Sequence, residues 1–271
     1  MNNQRITIVG GSACGLMAAR ILSEKFQVTI IEYRDVLGGR IRSVPLAEGD
    51  GCVEAGAEFV HGNLPLTLNL LKEAGLEYVK ASGKMLRKEG NEWKKEEEMV
   101  EEWDKLLQLM KQQGPDITMQ EFLDENFAGD EYGNFRKHVK QFVQGFDIAE
   151  PAKVSVKSLY KEWEAEEDNY RIAQGYSAFT RFLENDCIKK GCRIITGKAI
   201  KQIDWKKNNI TAHTSDGELY MAEKILVTIP VSVLQKREES CSIAFNPSID
   251  NYINASLQIG FGTVIKFILE F

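Results

Sequence analysis

Apolar and polar positions follow two rhythms along this chain. Residues 6–9, Ile-Thr-Ile-Val, are almost continuously apolar, and Val28-Thr29-Ile30-Ile31 repeat that pattern. Between them Leu16, Met17, Ala18 and Ala19 carry the stretch that should form a helix. A short apolar run, a helical segment and a second apolar run predict a buried strand, a helix and a parallel strand. Extended patterns return at 193–195, 199–203, 209–214 and 224–230, with Asp216-Gly217 as a hairpin turn.

Residues 72–167 read differently, being charged and amphipathic. Gly90-Asn91 marks a turn, and Met99, Trp103, Leu106, Leu107 and Met110 place a helix over 96–113, stopped by Gly114-Pro115. Thr118 and Glu121 have the spacing of a capping box. Helical spacing continues through Phe122, Leu123 and Phe127, then Phe135, Val139, Phe142 and Val143. Charge runs at 94–98 and 162–168 are expected to be solvated helix faces. Alternating helical and extended stretches favour an α/β or α+β class over bundles and sandwiches.

The first strand and helix are joined by Gly10-Gly11-Ser12-Ala13-Cys14-Gly15. Gly10 and Gly15 stand at the first and third glycine positions of a dinucleotide-binding turn, and Ser12 takes the second. Glu32 ends the next strand about 20 residues on, where an acid binds ribose hydroxyls. Such a turn lets backbone and helix N-terminus approach a pyrophosphate. Ser12 adds a Cβ where the phosphate comes closest. The alternative is a βα turn without a ligand. The chain continues Glu32-Tyr33-Arg34 and reaches Gly38-Gly39-Arg40. A nicotinamide enzyme has no need of a second double glycine so close to the ribose acid. An extended flavin adenine dinucleotide (FAD) does, with the glycines crossing the pyrophosphate and Arg40 presenting a fork of donors.

Composition narrows the picture little further. The chain has 271 residues, is 43% hydrophobic and carries a formal net charge of −6. That length can bury one large core or two modest ones. No basic surface for nucleic acid is apparent. The negative balance is compatible with steering a cationic ligand. Cysteines 14, 52, 187, 192 and 241 show no metal-ligand spacing, so no metal is expected; Cys14 reads as a buried helix start and the others as reduced core thiols. The first residues leave no room for a signal peptide and no apolar run reaches the ~20 residues of a membrane helix, so a cytoplasmic location is the default expectation.

The stretch from Glu32 to Arg40 resembles the flavin-containing amine oxidase family. Val53-Glu54-Ala55-Gly56-Ala57-Glu58-Phe59-Val60-His61-Gly62 is similar to the family's Glu-Leu-Gly-Ala-x-Trp-x-His-Gly segment, with Ala55 and Phe59 as departures. Leu257 to Phe271 is similar to the segment that carries an active-site lysine, here Lys266. The resemblance implies a Rossmann-like FAD-binding domain with three layers and a β-meander, plus an α+β substrate domain with a helical insert. It places the former at 1–71 and 170–244 and the latter at 72–169 and 245–271. It implies cofactor contacts at Gly10, Gly11, Ser12, Ala13, Gly15, Glu32, Tyr33, Arg34, Gly38, Gly39, Arg40, Gly56, Ala57 and Glu58. Further contacts fall at Ile200, Thr228 and Pro230. It implies Lys266 bridged through water to the flavin N5, and His61 at the substrate site. A satisfied loop histidine and a snorkelling lysine are the plain alternatives. On a strand, Lys266 would point opposite Ile265 and Phe267.

The implied reaction is oxidation of an amine by hydride transfer to flavin, with dioxygen as final acceptor. The expected partners are a small-molecule amine and dioxygen, without nucleic acid or membrane. Family members continue well past the lysine, so the resemblance implies a chain lacking its C-terminal portion and an apolar end able to self-associate. Two other classes stay open: a protoporphyrinogen oxidase- or desaturase-like flavoenzyme, and a non-catalytic nucleotide-binding domain.

Overall fold

The computed structural model describes residues 4–46, 51–82, 86–89, 92–95, 100–164, 168–235, 242–262 and 264–269. The chain divides into two compact units, one of residues 1–79, 169–259 and 266–271, the other of 80–168 and 260–265.

The first unit is built on a four-stranded parallel sheet. Its order is Arg193–Ile195, then β2 (Gln27–Ile31), then β1 (Arg5–Val9), then Lys224–Val227. Side chains alternate across β1 and β2, which sorts their apolar residues onto two faces. Ile6, Ile8, Val28 and Ile30 point to one face, where Leu16 and Ala19 of α1 (Ala13–Leu22) and Phe179, Leu183 and Cys187 of helix Tyr176–Lys189 close the core. Val9 and Ile31 point to the other, against Ile200, Ile203, Ile210 and Ala212. Those four belong to an antiparallel meander of Ile200–Lys206, Asn209–Thr214 and Leu219–Ala222. Helices, parallel sheet and meander make three layers, which explains why β1 reads as apolar on both faces. The expected α/β, Rossmann-like architecture with a β-meander is the one observed. Asp216-Gly217 turns the last two meander strands, and Ala244–Asn246 adds a fourth strand parallel to Ile200–Lys206.

The second unit holds helices Val100–Gln112, Met119–Asn126, Gly133–Gly145 and Val156–Trp163. They bury Leu106, Met110, Phe122, Leu123, Phe127, Phe135, Val139 and Val143 in a core of their own. The capping box forms: Glu121 N donates to Thr118 Oγ1 at 3.2 Å, and Thr118 N donates to Glu121 Oε2 at 2.9 Å. Two backbone donors with no intrahelical acceptor are thereby satisfied.

Three expectations need correction. Cys14 and Cys52 are exposed, not core thiols; in α1 it is Gly15, Leu16 and Ala19 that face inward, which leaves Cys14 on the outer side. Cys187 and Cys192 are buried as read, with burial raising both thiols' pKa, Cys187 to about 12. The charge run at 94–98 begins on strand Glu92–Lys95, paired with Leu86–Glu89, so Lys94 and Lys95 are strand residues. Residues 264–269 form no strand, because among the described residues none offers them a backbone ladder. The Gly90-Asn91 turn, Met99 with the expected helix start at 96–99, residues 165–167 of the second charge run, Cys241, Thr263 and residues 270–271 lie outside the described residues. Among those described, no helix is long and apolar enough to cross a membrane.

Candidate cofactor and lysine site

The glycine turn sits where β1 ends and α1 begins. Close approach demands the third glycine: a Cβ on Gly15 would lie inside the van der Waals shell of the Gly10 carbonyl oxygen. Thr228, just past strand Lys224–Val227, clamps the same point, its Oγ1 donating to Val9 O at 3.0 Å and Gly10 O at 2.9 Å. The Ser12 side chain makes no capping bond to α1. The first N–H groups of a helix have no intrahelical acceptor, so this terminus presents donors and a partial positive charge.

Glu32 is buried, 8% exposed, and organises the turn from the end of β2. Its Oε2 accepts from Gly11 N at 2.6 Å and its Oε1 from Arg34 N at 3.0 Å. A carboxylate has about four acceptor positions, so both oxygens retain capacity for a hydroxyl. Lys198 N donates to Glu32 O, which ties the connection leading into Ile200 to the same strand end.

The second double glycine packs onto the first turn. Gly38 N donates to Gly11 O at 2.9 Å, and Ser12 and Gly38 form a parallel bridge. Gly39 has φ +61°, and a Cβ there would come within 2.9 Å of the Ser12 Cβ. The Cβ that Ser12 adds is therefore accommodated by the one that Gly39 lacks. Arg34 Nη1 donates to Gly39 O at 3.3 Å. Tyr33 and Arg40 point to solvent.

The chain then returns beside this turn. Ala57 N donates to Arg40 O at 2.9 Å and Ala55 N to Arg42 O at 2.8 Å. Gly56 is pressed so closely on the Arg40 carbonyl that a side chain would not fit. Lys266 meets this segment from the far end of the chain: its Nζ donates to Glu58 Oε2 at 2.9 Å and to Gly56 O at 3.4 Å. The lysine hydrogen bond, foremost, holds the Glu58 carboxyl below its ordinary pKa. His61 lies on a short strand paired with Tyr170 and Asn169, its ring edge-on to Phe59 at 5.9 Å.

The structure thus brings Gly10 to Gly15, Glu32, Arg34, Gly38, Gly39 and Thr228 into one cradle, and joins Arg40, Gly56, Ala57, Glu58 and Lys266 in a second cluster. Ile200 lies beneath, packed on Val9 and Ile31, and Pro230 follows the end of the parallel sheet. Sequence reasoning missed Glu54, which accepts from Tyr176 N at 2.7 Å and Ser43 Oγ at 2.8 Å and so locks the turn at Gly175. It also missed Arg171, which donates to Glu58 at 2.6 Å. A carboxylate beside a glycine turn was a signal for Glu54; Arg171 offered none.

A parallel sheet, a glycine turn opening a helix and a buried acid at the next strand's end define a dinucleotide-binding protein. The residues present fit such a group, since Gly10, Gly11 and Gly15 bring backbone close at a helix N-terminus whose first N–H groups have no intrahelical acceptor. The chain belongs to the flavin-containing amine oxidoreductase family, whose sequence model matches residues 13–271. The cofactor of that family is FAD, and its members are oxidoreductases. The chain is 26% identical to lysine-specific histone demethylase 2 of Homo sapiens, covering 100% of this chain and 35% of that protein. It is 24% identical to polyamine oxidase 4 of Oryza sativa subsp. japonica, covering 98% and 58%. A structure of putrescine oxidase bound to putrescine superposes with a TM-score of 0.69 at 15% identity, covering 90% of this chain and 61% of that one. The likeness to that structure is one of fold. The chain spans 35% to 58% of the length of these curated relatives.

Proposed function

We propose that this chain forms the FAD-binding part of an amine oxidase and carries the lysine that serves the flavin. One observation carries the reading: Lys266 is hydrogen-bonded to Gly56 and Glu58, in the segment that is itself bonded to Arg40 of the second glycine turn. The N-terminus of α1 and the Gly10–Gly15 backbone would take the pyrophosphate, Glu32 the ribose hydroxyls, and Arg34 or Arg40 the phosphate oxygens. The chemistry that FAD supplies when bound is acceptance of a hydride from the carbon beside an amine nitrogen, with dioxygen restoring the oxidised ring and leaving hydrogen peroxide. The part of this chain's residues is to position and to handle protons. Lys266 would hold a proton-bearing group, through water, beside the flavin N5. His61 would orient the amine and help exclude water. Substrates of the polyamine class are favoured by His61-Gly62 and by the polyamine oxidases among the relatives.

The test is the visible spectrum of the purified chain before and after adding FAD, followed by addition of putrescine or spermidine. Flavin bands that bleach anaerobically with amine, and peroxide formed in air, are the expected results. A protein that neither carries nor gains flavin bands would overturn the reading.

A further inference from the structure

Glu58 does not stand alone beside Lys266. Its Oε1 accepts from Arg171 Nη2 at 2.6 Å while its Oε2 accepts from Lys266 at 2.9 Å, so one carboxylate is shared by two cations. Arg171 is fixed in turn, its guanidinium carbon 4.8 Å from the centre of the Phe59 ring. Arg171 lies on strand Asn169–Ile172, which pairs with Val60–His61. Phe59 and Glu58 immediately precede that paired strand. The three groups are therefore held by backbone pairing and ring contact, and only Lys266 arrives on a segment with no strand of its own.

We infer that Glu58 and Arg171 are positioning residues which anchor the Lys266 ammonium against the Gly56 carbonyl. The geometry divides the work. Arg171, stacked on Phe59, orients the Glu58 carboxylate by a charge-assisted hydrogen bond. Glu58 directs its second oxygen to Lys266, and the Gly56 carbonyl receives another of the three ammonium protons. A lysine on an unpaired segment would otherwise sample many rotamers. The anchor restricts it to the neighbourhood of the Arg40–Ala57 contact. This inference rests on the reading of Lys266 as the flavin-serving lysine for its functional meaning, though not for the anchor itself.

Two measurements separate those parts. In the first, the chain without added cofactor is treated with an amine-acetylating ester, and the labelling rates of Lys266 and of the exposed control Lys72 are read by peptide mass spectrometry. Glu58→Gln should accelerate Lys266 about fivefold and Arg171→Met about twofold, with Lys72 unchanged. Unchanged Lys266 rates in the folded variants would overturn the anchor. If Glu58→Gln unfolds the chain, which loss of the far-ultraviolet circular dichroism signal reports, the exposed Arg171 position decides alone. In the second, amine-dependent flavin reduction is compared among Lys266→Met, Glu58→Gln and the double variant. The double variant should be no slower than Lys266→Met; additive losses would show that Glu58 acts by another route. If Lys266→Met reduces flavin as fast as the original chain, the functional reading of the lysine fails while the labelling result stands.

Discussion

At the scale of single residues, the site is a matter of which atoms are missing. Gly15 lies so close to the Gly10 carbonyl that one methyl group cannot enter without displacing the β1–α1 turn. Gly15→Ala should therefore cost about 1–3 kcal/mol of stability, as overpacking typically does, and weaken FAD binding about tenfold or more. Thermal denaturation and a flavin fluorescence titration check both, and a variant that matches the original chain in each would refute the crowding argument. The same arithmetic shows why Ser12 was legible only in part. The sequence marks it as a departure from glycine at the pyrophosphate, and nothing local says where its Cβ goes. Gly39, 27 residues later in the chain, leaves the space. Lys266 is the opposite case. Apolar neighbours on both sides suggested a strand, but an apolar run describes side chains, and a strand also needs a partner for its backbone.

At the scale of elements, local patterns were readable and long-range ones were not. Sheet strands, the Thr118 capping box and the meander hairpin depend on residues a few positions apart. The Arg171–Glu58 and Lys266–Glu58 bonds close separations of 113 and 208 residues, which no spacing rule reaches. Asp147 is a further case, following helix Gly133–Gly145 and read from the sequence as nothing in particular. Its Oδ1 accepts from Trp163 Nε1 at 3.2 Å, and its Oδ2 is buried with no partner among the described residues. Burial, foremost, pushes its pKa up to about 6; the Trp163 bond opposes this and the charge of Glu162 adds to it. A carboxyl whose folded pKa is raised binds its proton more readily folded than unfolded. Stability from this group is therefore greatest below the unfolded pKa of 3.8 and declines as pH rises through about 6. Asp147→Asn should be close to neutral at pH 4 and stabilising at pH 8. The gain is on the order of 1–2 kcal/mol once the carboxylate's partial solvent access is allowed for. Urea denaturation at the two pH values measures it, and an equal effect at both would remove burial as the cause.

At the scale of the whole molecule, the cofactor residues are unevenly distributed. The glycine cradle, Glu32, the second double glycine and Thr228 all belong to the unit of residues 1–79, 169–259 and 266–271. The four-helix unit closes its own core around Phe122, Phe127, Phe135 and Val139. The composition shift falls near residue 72, whereas the compact units change at residues 79–80. A ligand that binds only the folded state stabilises by RT ln(1 + [L]/Kd), about 2.7 kcal/mol at a hundredfold excess over Kd. If the two cores melt separately, that gain belongs to the unit holding the cradle. Calorimetry should then show two transitions, with FAD raising one and leaving the other in place. Hydrogen exchange assigns them: FAD should slow the amides of residues 10–16 and 32–40 and leave those of Met119–Asn126 and Gly133–Gly145 unchanged. A uniform rise of both transitions, with equal protection in the helices, would mean that the two cores unfold as one and that the cofactor's stabilising effect is shared across the chain.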